Sequence, residues 1–167
     1  LAVAGNDLYV GGRFTIIGGI LANRIARWNG STWSTLGSGV AESDVMSLAV
    51  IGTDLYAGGS FRSAGGVPAN GIAKWDGTSW SAVGSGVGGD FGWVMEMAVA
   101  GSELYVGGVF TSAGGVSAHS IAKWDGSTWS ALGSGLDPYP LLRLSVQALA
   151  VSGTDLYVGG LFGSAGG

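Results

Sequence analysis

Residues 121–135 read IAKWDGSTWSALGSG, and this stretch decides the fold because the chain contains it three times. The earlier copies are IARWNGSTWSTLGSG at residues 25–39 and IAKWDGTSWSAVGSG at residues 72–86. Each copy is typical of two short strands with a Trp on each side of a tight turn. The turn is Asn-Gly or Asp-Gly, and we expect positive φ angles at both of its residues, such as Asp125 and Gly126.

A second repeated stretch precedes each hairpin and sets the period of the chain. It reads LAVAGNDLYVGG at residues 1–12 and returns at 48–59, 97–108 and 149–160, at offsets of 47, 49 and 52 residues. From this start to the last Gly of the hairpin, each full copy has 39 residues. All length variation therefore falls in three connectors, which are residues 40–47, 87–96 and 136–148.

Each repeat is predicted to contain four strands. Strand A is the LAV segment, strand B is DLYVGG, and strands C and D are the two halves of the hairpin. A loop of the form F-x-x-x-G-G-x-x-A joins strands B and C. No segment has a sustained 3.6-residue apolar period, so we predict no helix.

Four antiparallel strands in about 40–50 residues are typical of one blade of a β-propeller. We therefore expect an all-β fold, a β-propeller built of four-stranded antiparallel blades. The blades fall at residues 1–47, 48–96, 97–148 and, incomplete, 149–167, which makes about three and a half. Closed propellers have about 4–8 blades, so we expect this chain to be part of a larger propeller.

The paired glycines and the paired Trp residues are predicted to pack blade against blade. The Gly-Gly pair ends strand B, where a missing side chain permits close approach. Each Trp ring buries on the order of 200 Å² of surface. One blade cannot cover both of its own apolar faces, so its neighbours must bury them.

The hydrophobic residues before Gly-Gly, the aromatic-Asp-Gly turn and the Trp that follows resemble the kelch repeat over the whole chain. The pattern LYVGGxFxxAGG followed by IAxWDGxxWSALGSG is most similar to repeats of bacterial secreted or surface proteins and of fungal cortical polarity-marker proteins. Two features depart from the kelch pattern. The spacing from Gly-Gly to Trp differs, and kelch repeats have Tyr at the positions of Trp28, Trp75 and Trp124. The resemblance implies an extracellular or cell-surface location, in a bacterium.

Composition argues against several classes of function. The chain has 7 Lys and Arg against 11 Asp and Glu, with no basic run, so we expect no nucleic-acid partner. It has no Cys, which excludes disulfides, thiolate metal sites and a Cys nucleophile. No apolar run reaches the roughly 18 residues of a membrane span. No signal peptide is visible and the first residue is not Met, so we expect a mature or internal segment.

Polar residues that recur at one position of every repeat are interpreted as structural. His119 stands where the other repeats have Asn23 and Asn70, and we expect hydrogen bonds to loop backbone at this position rather than metal binding or catalysis. A basic residue precedes the first Trp of each hairpin and is expected to be solvated or to pack on a ring: Arg27, Lys74 and Lys123. An acidic residue precedes the Leu-Tyr of strand B and is attributed to turn chemistry: Asp7, Asp54, Glu103 and Asp155. No catalytic residue, metal or cofactor is predicted.

The connectors are the predicted binding surface. In a propeller they share one face with the B–C loops, and function usually lies on variable loops over a rigid scaffold. Their distinctive residues are Glu42 and Asp44 in the first connector, then Asp90, Phe91 and Trp93, then Asp137, Tyr139 and Arg143. An alternative remains open, in which nothing constrains these loops and Phe91 and Trp93 merely cover the end of a blade.

Three functions are compatible with these features. The first is a non-enzymatic extracellular or cell-surface scaffold for protein interaction or structure, whose partners are other proteins or cell-surface glycans and further blades of the same protein. The second is a carbohydrate-binding, lectin-like propeller with Trp-lined sites between blades. The third is the propeller portion of a larger enzyme whose active site lies outside these residues.

Overall fold

The structure is a computed structural model that describes residues 1–137 and 144–166. The regular elements of these residues are β-strands, which confirms the all-β prediction. The described residues include no helix that is long and apolar enough to cross a membrane.

The strands follow the repeats, which we number 1 to 4 along the chain. Repeat 1 contains β1 (Ala2–Ala4), β2 (Asp7–Gly11), β3 (Ile16–Ile17), β4 (Ile20–Leu21), β5 (Ile25–Trp28) and β6 (Trp33–Thr35). Repeat 2 contains β7 (Val45–Ile51), β8 (Asp54–Gly59), β9 (Ser63–Ala64), β10 (Val67–Pro68), β11 (Ile72–Trp75), β12 (Trp80–Ala82) and β13 (Val87–Gly88). Repeat 3 contains β14 (Trp93–Ala100), β15 (Glu103–Val109), β16 (Ser112–Ala113), β17 (Val116–Ser117), β18 (Ile121–Trp124), β19 (Trp129–Ala131) and β20 (Leu136–Asp137). Repeat 4 contains β21 (Ser145–Ser152), β22 (Asp155–Leu161) and β23 (Ser164–Ala165).

Strands A to D of each full repeat form one antiparallel sheet in which sequence neighbours pair. Sheet 1 has the order β1-β2-β5-β6, sheet 2 the order β7-β8-β11-β12 and sheet 3 the order β14-β15-β18-β19. In repeat 4, β21 pairs with β22, and we refer to this pair as sheet 4. The four-stranded antiparallel sheet predicted for each full repeat is therefore confirmed.

The turn between strands C and D differs from the prediction. Trp124 lies opposite Trp129, so the loop between them has four residues rather than two. Within this loop only Gly126 has a positive φ angle, at 99°. Asp125 accepts hydrogen bonds from the backbone N–H groups of the residues two and three positions later, at 2.8 and 2.7 Å. Asp125 therefore closes the loop with its side chain, and does not supply a left-handed backbone conformation.

Strand A is longer than predicted because it includes the last residues of each connector. β14 begins at Trp93, although the repeat pattern placed the start of strand A at Met97. Its register against β15 shifts between Val94 and Glu96, which marks a β-bulge. β7 and β21 are also extended, by three and four residues, and have a shift at the equivalent position. The extra residue breaks the alternation of buried and exposed side chains along the strand. The repeat pattern in the sequence therefore did not reveal the residues before the bulge as part of strand A.

In the three full repeats, the first glycine of the Gly-Gly pair that ends strand B makes room for the next sheet, as predicted. A Cβ atom on Gly58 would lie 2.5 Å from Cγ1 of Val94 in the following repeat. The same overlap would occur between Gly11 and Val45 and between Gly107 and Val146. A side chain at any of these glycines would push two sheets apart.

The buried core lies between consecutive sheets. One cluster contains Ile25 of sheet 1 together with Leu48 and Trp80 of sheet 2. A second contains Ile72 of sheet 2 together with Trp129 of sheet 3, and a third joins sheets 3 and 4. Because every core forms between two repeats, each repeat depends on its neighbours for stability.

The segment between strands B and C, predicted as a loop, contains a small hairpin. In repeat 3 this is β16 and β17, joined by Gly114 and Gly115 at φ angles of 60° and 84°. β13, from the preceding connector, adds a third strand to this hairpin by pairing Val87 with Ala113. β20 pairs with β23 in the same way, and residues 40 and 64 form an isolated bridge. Each connector is therefore fixed to the hairpin of the next repeat.

Candidate functional site

The connectors and the B–C hairpins share one end of the sheets. The antiparallel order places the A–B and C–D turns at one end of each sheet and the B–C hairpins at the other. The connectors pair with the hairpins, so they lie at the hairpin end. We call this end the connector face, formed by residues 12–24, 40–44, 60–71, 87–92, 109–120, 136–137 and 144, and the opposite end the turn end.

A pocket of about 250 Å³ opens on the connector face beside sheet 3. It lies where the connector before sheet 3, the loop regions of sheet 3 and the residue before β21 meet. Its walls are formed by Asp90, Phe91, Val109, Phe110, Thr111, Ser120 and Leu144. The pocket is thus mostly apolar, with one carboxylate and two hydroxyls as its polar side chains. Pockets of this composition are typical of binding sites.

Phe91 is held in the pocket wall by contacts with Trp93 and Arg62. Its ring is half-buried and meets the ring of Trp93 edge to face, with centroids 5.0 Å apart and planes at 69°. Its backbone carbonyl accepts a hydrogen bond from Nη2 of Arg62, at 3.4 Å. Trp93 is the first residue of β14 and lies opposite Val109. Trp93 therefore supports Phe91 from behind and is not itself part of the pocket wall.

The structure brings together only some of the predicted site residues. Asp90 is exposed and lines the pocket beside Phe91. Asp137 does not line it, because its carboxylate accepts a hydrogen bond of 2.9 Å from the Ser164 hydroxyl and holds β20 against β23. Tyr139 and Arg143 lie outside the described residues. Glu42 and Asp44 lie in the first connector, away from this pocket.

Sequence reasoning missed the pocket walls that come from sheet 3 and from the residue before β21. Thr111 occupies the position that Arg62 has in repeat 2. Arg62 spans from its hairpin to the neighbouring connector, whereas Thr111 is too short to do so, and the pocket opens beside it. Phe110 is 3% exposed. A Phe stands at this position in every repeat, which indicates a core residue and not a pocket wall. The exchange of Arg for Thr between repeats was the available signal.

The recurring polar position before strand C is structural in two repeats, as predicted. Nδ2 of Asn23 donates to the carbonyl of Ser38 at 3.0 Å, and Nδ2 of Asn70 donates to that of Ser85 at 3.1 Å. At His119 the imidazole is exposed, and the backbone carbonyl accepts the N–H of Leu136 at 3.3 Å. Across residues 1–137 and 144–166, no three His, Asp or Glu side chains gather as metal ligands.

At the turn end, the recurring acid of strand B and the recurring base of strand C form ion pairs. Nζ of Lys123 lies 2.6 Å from a carboxylate oxygen of Glu103. Equivalent pairs of 2.9 Å join Lys74 to Asp54 and Arg27 to Asp7. The hydrogen bond between Glu103 and Lys123 lowers the pKa of the acid and raises the pKa of the base. The sequence had attributed the acid to turn chemistry and the base to solvation or to packing on a ring. The structure instead pairs the two residues with each other.

The Trp residues pack between sheets, as predicted. The indole N–H of Trp129 donates to the carbonyl of Val83 in the preceding repeat. Trp124 and Trp129 border a shallow groove with Ser85, Ser127 and Thr128, but the two residues are only 8% and 7% exposed. Little of either side chain is therefore accessible from this groove.

Comparison with known proteins assigns no family. No protein-family model matches the chain, and no curated protein matches it either. The geometry of the connector face is therefore the basis for inferring function.

Proposed function

We propose that these repeats are part of a β-propeller that acts as a non-enzymatic scaffold outside the cell and binds another protein through its connector face. The pocket beside Phe91 carries this proposal. Its apolar walls suit an aliphatic or aromatic side chain, and the exposed Asp90 carboxylate suits a neighbouring cation. The partner is therefore a protein segment with an apolar residue next to Lys or Arg.

The propeller is supported by the repetition of one interface. Sheets 1, 2 and 3 have the same strand order, and the same contact between Gly and Val joins each sheet to the next. A constant step from sheet to sheet leads to a ring when about 4–8 sheets are present. Further repeats of the same protein complete the ring in this proposal. Electron microscopy of the purified natural protein tests it, and an open, extended array would contradict it.

A secreted or cell-surface location in a bacterium is proposed from the similarity of the repeats to those of bacterial surface proteins. Fractionation of cells that produce the natural protein tests this location. We expect the protein in the medium or accessible to protease on intact cells. Recovery from the cytoplasm alone would contradict the proposal.

Selection of peptides tests the binding site directly. A phage-displayed library of random peptides is panned on the protein, and the enriched peptides are measured by calorimetry. We expect enrichment of an apolar residue beside Lys or Arg. Asp90→Asn should weaken the binding of these peptides by about 1–3 kcal/mol, because the cation of the peptide loses its carboxylate partner.

Repeat 2 supplies a matched variant that closes the pocket. Thr111→Arg introduces the residue that repeat 2 carries at the same position, so we expect it to fold and to occupy the pocket. Thr15→Arg makes the same change at the equivalent position of repeat 1, away from the pocket, and controls for added charge. Peptides that bind wild type and Thr15→Arg but not Thr111→Arg support the site. Equal binding to all three proteins would place the site elsewhere.

A carbohydrate-binding propeller is the second candidate. It is favoured by the groove that two Trp residues line together with Ser85, Ser127 and Thr128. It ranks lower because both Trp residues are buried, which leaves little ring surface on which a sugar could stack. Screening on a glycan array distinguishes the two candidates, and silence across broad glycan classes would count against this one. The third candidate is an enzyme whose active site lies outside these residues. For such a protein we expect neither peptides in the pocket beside Phe91 nor a signal on the glycan array.

A further inference from the structure

Two Asn-Gly pairs occur in the chain, Asn29–Gly30 and Asn70–Gly71, and their surroundings differ. Asn29 and Gly30 begin the loop between β5 and β6, and both residues are exposed. Gly71 directly precedes β11 and is buried. Glycine leaves its own backbone nitrogen unhindered by a side chain, so an Asn-Gly pair is the dipeptide in which this nitrogen most easily reaches the preceding Asn side chain.

The loop polarises the side-chain amide of Asn29. Its Oδ1 accepts hydrogen bonds from the N–H groups of Ser31 and Thr32, at 3.0 and 2.8 Å. The hydroxyls of the same two residues donate to this oxygen at 3.0 and 3.3 Å. Donors arranged in this way stabilise the negative charge that develops on a carbonyl oxygen when a nucleophile adds to its carbon.

The two nitrogen atoms that take part in the reaction are not held by the loop. Among the described residues, neither the Gly30 N–H nor Nδ2 of Asn29 donates a hydrogen bond to protein. Gly30 can therefore lose its proton to solvent, and the amide nitrogen of Asn29 can leave into solvent.

We propose that Asn29 and Gly30 are a self-modification site at which the folded protein forms a cyclic imide. The backbone nitrogen of Gly30, deprotonated by hydroxide, attacks Cγ of Asn29. The N–Cγ bond forms, the Cγ–Nδ2 bond breaks, and Nδ2 takes a proton from water and leaves as ammonia. Water then opens the imide at either of its two carbonyls and gives aspartate or isoaspartate at position 29. The net charge changes by one unit, from −4 to −5.

Asn70 is held against the same reaction. The Gly71 N–H donates to the carbonyl of Phe61 at 2.9 Å, and Nδ2 of Asn70 donates to that of Ser85 at 3.1 Å. A Cβ atom on Gly71 would lie 2.6 Å from the carbonyl oxygen of Gly92, so this backbone is closely surrounded. Deprotonation and attack at Gly71 require these hydrogen bonds to break first. The modification is therefore selective for repeat 1.

The two products differ in their effect on repeat 1. Repeats 2 and 3 already have aspartate at this position, where Oδ2 of Asp125 accepts a hydrogen bond of 2.7 Å from the hydroxyl of Thr128. Aspartate at position 29 therefore fits the loop. Isoaspartate inserts one methylene into the backbone and displaces Trp28 from its place opposite Trp33.

Incubation of the folded protein at neutral and mildly alkaline pH tests the proposal. Mass spectrometry of peptides, with an isoaspartate-specific methyltransferase, measures conversion at both pairs, and Asn29→Asp provides the reference product. We expect conversion at Asn29 to rise with pH and to exceed that at Asn70 by about tenfold or more, the factor that a net hydrogen bond supplies. In concentrated urea we expect the two pairs to react at similar rates. Equal rates in the folded protein, or a folded Asn29 that is inert while the unfolded one reacts, would overturn the proposal.

Discussion

The indole N–H of Trp129 donates a hydrogen bond of 3.0 Å to the backbone carbonyl of Val83, 46 residues earlier in the chain. The same contact joins Trp80 to Leu36 at 2.8 Å. Each bond satisfies a carbonyl that faces the space between two sheets, where an unpaired polar group would be costly. The second Trp of a hairpin thus fixes its own sheet to the preceding one.

Truncation of this ring should destabilise the protein strongly. Trp129→Ala is expected to lower the free energy of unfolding by about 3–5 kcal/mol, because a buried ring is lost and the Val83 carbonyl loses its donor. Trp129→Phe keeps most of the apolar contact and should cost about 1–3 kcal/mol. Denaturant titration measures both changes. Trp33→Ala is the matched control, since this ring is only half-buried; equal losses at positions 33 and 129 would contradict the packing role.

The contact between Gly58 and Val94 predicts a second loss of stability. Gly58→Ala places a methyl group 2.5 Å from Cγ1 of Val94 and should cost about 1–3 kcal/mol by overpacking. Gly159→Ala is its counterpart in repeat 4, where the new methyl group would meet only Ala148, at 3.6 Å. This control should be neutral or slightly stabilising. Thermal unfolding compares the two variants, and partial rescue of Gly58→Ala by Val94→Ala would identify the overlap.

The loop carboxylates predict a dependence of stability on pH. Hydrogen bonds from the backbone and hydroxyl of Thr128 hold the pKa of Asp125 well below the ordinary 3.8. The pKa of Asp125 is lower in the folded protein than in the unfolded chain, where it is about 3.8. The stabilisation is therefore present above about pH 3.8 and is lost progressively as the pH falls below that value. Asp125→Asn should therefore lower the melting temperature at neutral pH and have a smaller effect near pH 2.

Asn29→Asp is the reciprocal of that change. It gives repeat 1 the carboxylate that repeats 2 and 3 already have, so the melting temperature should rise at neutral pH. The gain should shrink in acid for the same reason. A wild-type melting temperature for both reciprocal variants at neutral pH would show that the loop carboxylate adds no stability.

The pair formed by Glu103 and Lys123 predicts a rescue by charge reversal. Glu103→Lys places two cations side by side and should lower the melting temperature, and Lys123→Glu in the same chain should restore part of it. The pair is partly exposed, so the effect should be small and should weaken in high salt. Melting curves at low and high salt measure it. Additive losses in the double variant would argue against the pair.

Much of the fold could be predicted because the repeats mark which positions matter. A Gly or Trp kept in every copy was expected at an interface, and Gly58 and Trp129 lie at one. The ion pairs were also within reach of the sequence, since Glu103 and Lys123 are 20 residues apart and so are Asp54 and Lys74. Residues of opposite charge at a constant spacing in one sheet are expected to meet across neighbouring strands.

The candidate site could be predicted only in part. Asp90 and Phe91 line the pocket, but Thr111 and Leu144 were not foreseen because they come from other segments of the chain. Asp137 was a candidate in the third connector, yet its carboxylate accepts a hydrogen bond from the Ser164 hydroxyl and does not line the pocket. The sequence of one connector does not indicate which residues of other segments lie against it in the folded protein.

The sequence by itself determined strands A to D of each full repeat, their antiparallel arrangement in one sheet and the residues placed between sheets. These features follow from short-range patterns, because neighbouring strands are joined by tight turns and the copies repeat the same glycines and Trp residues. Only the tertiary structure decided that β13 pairs with β16, that strand A extends through a bulge and that a pocket opens beside Phe91. These features join distant segments, and their geometry depends on how one sheet is displaced relative to the next.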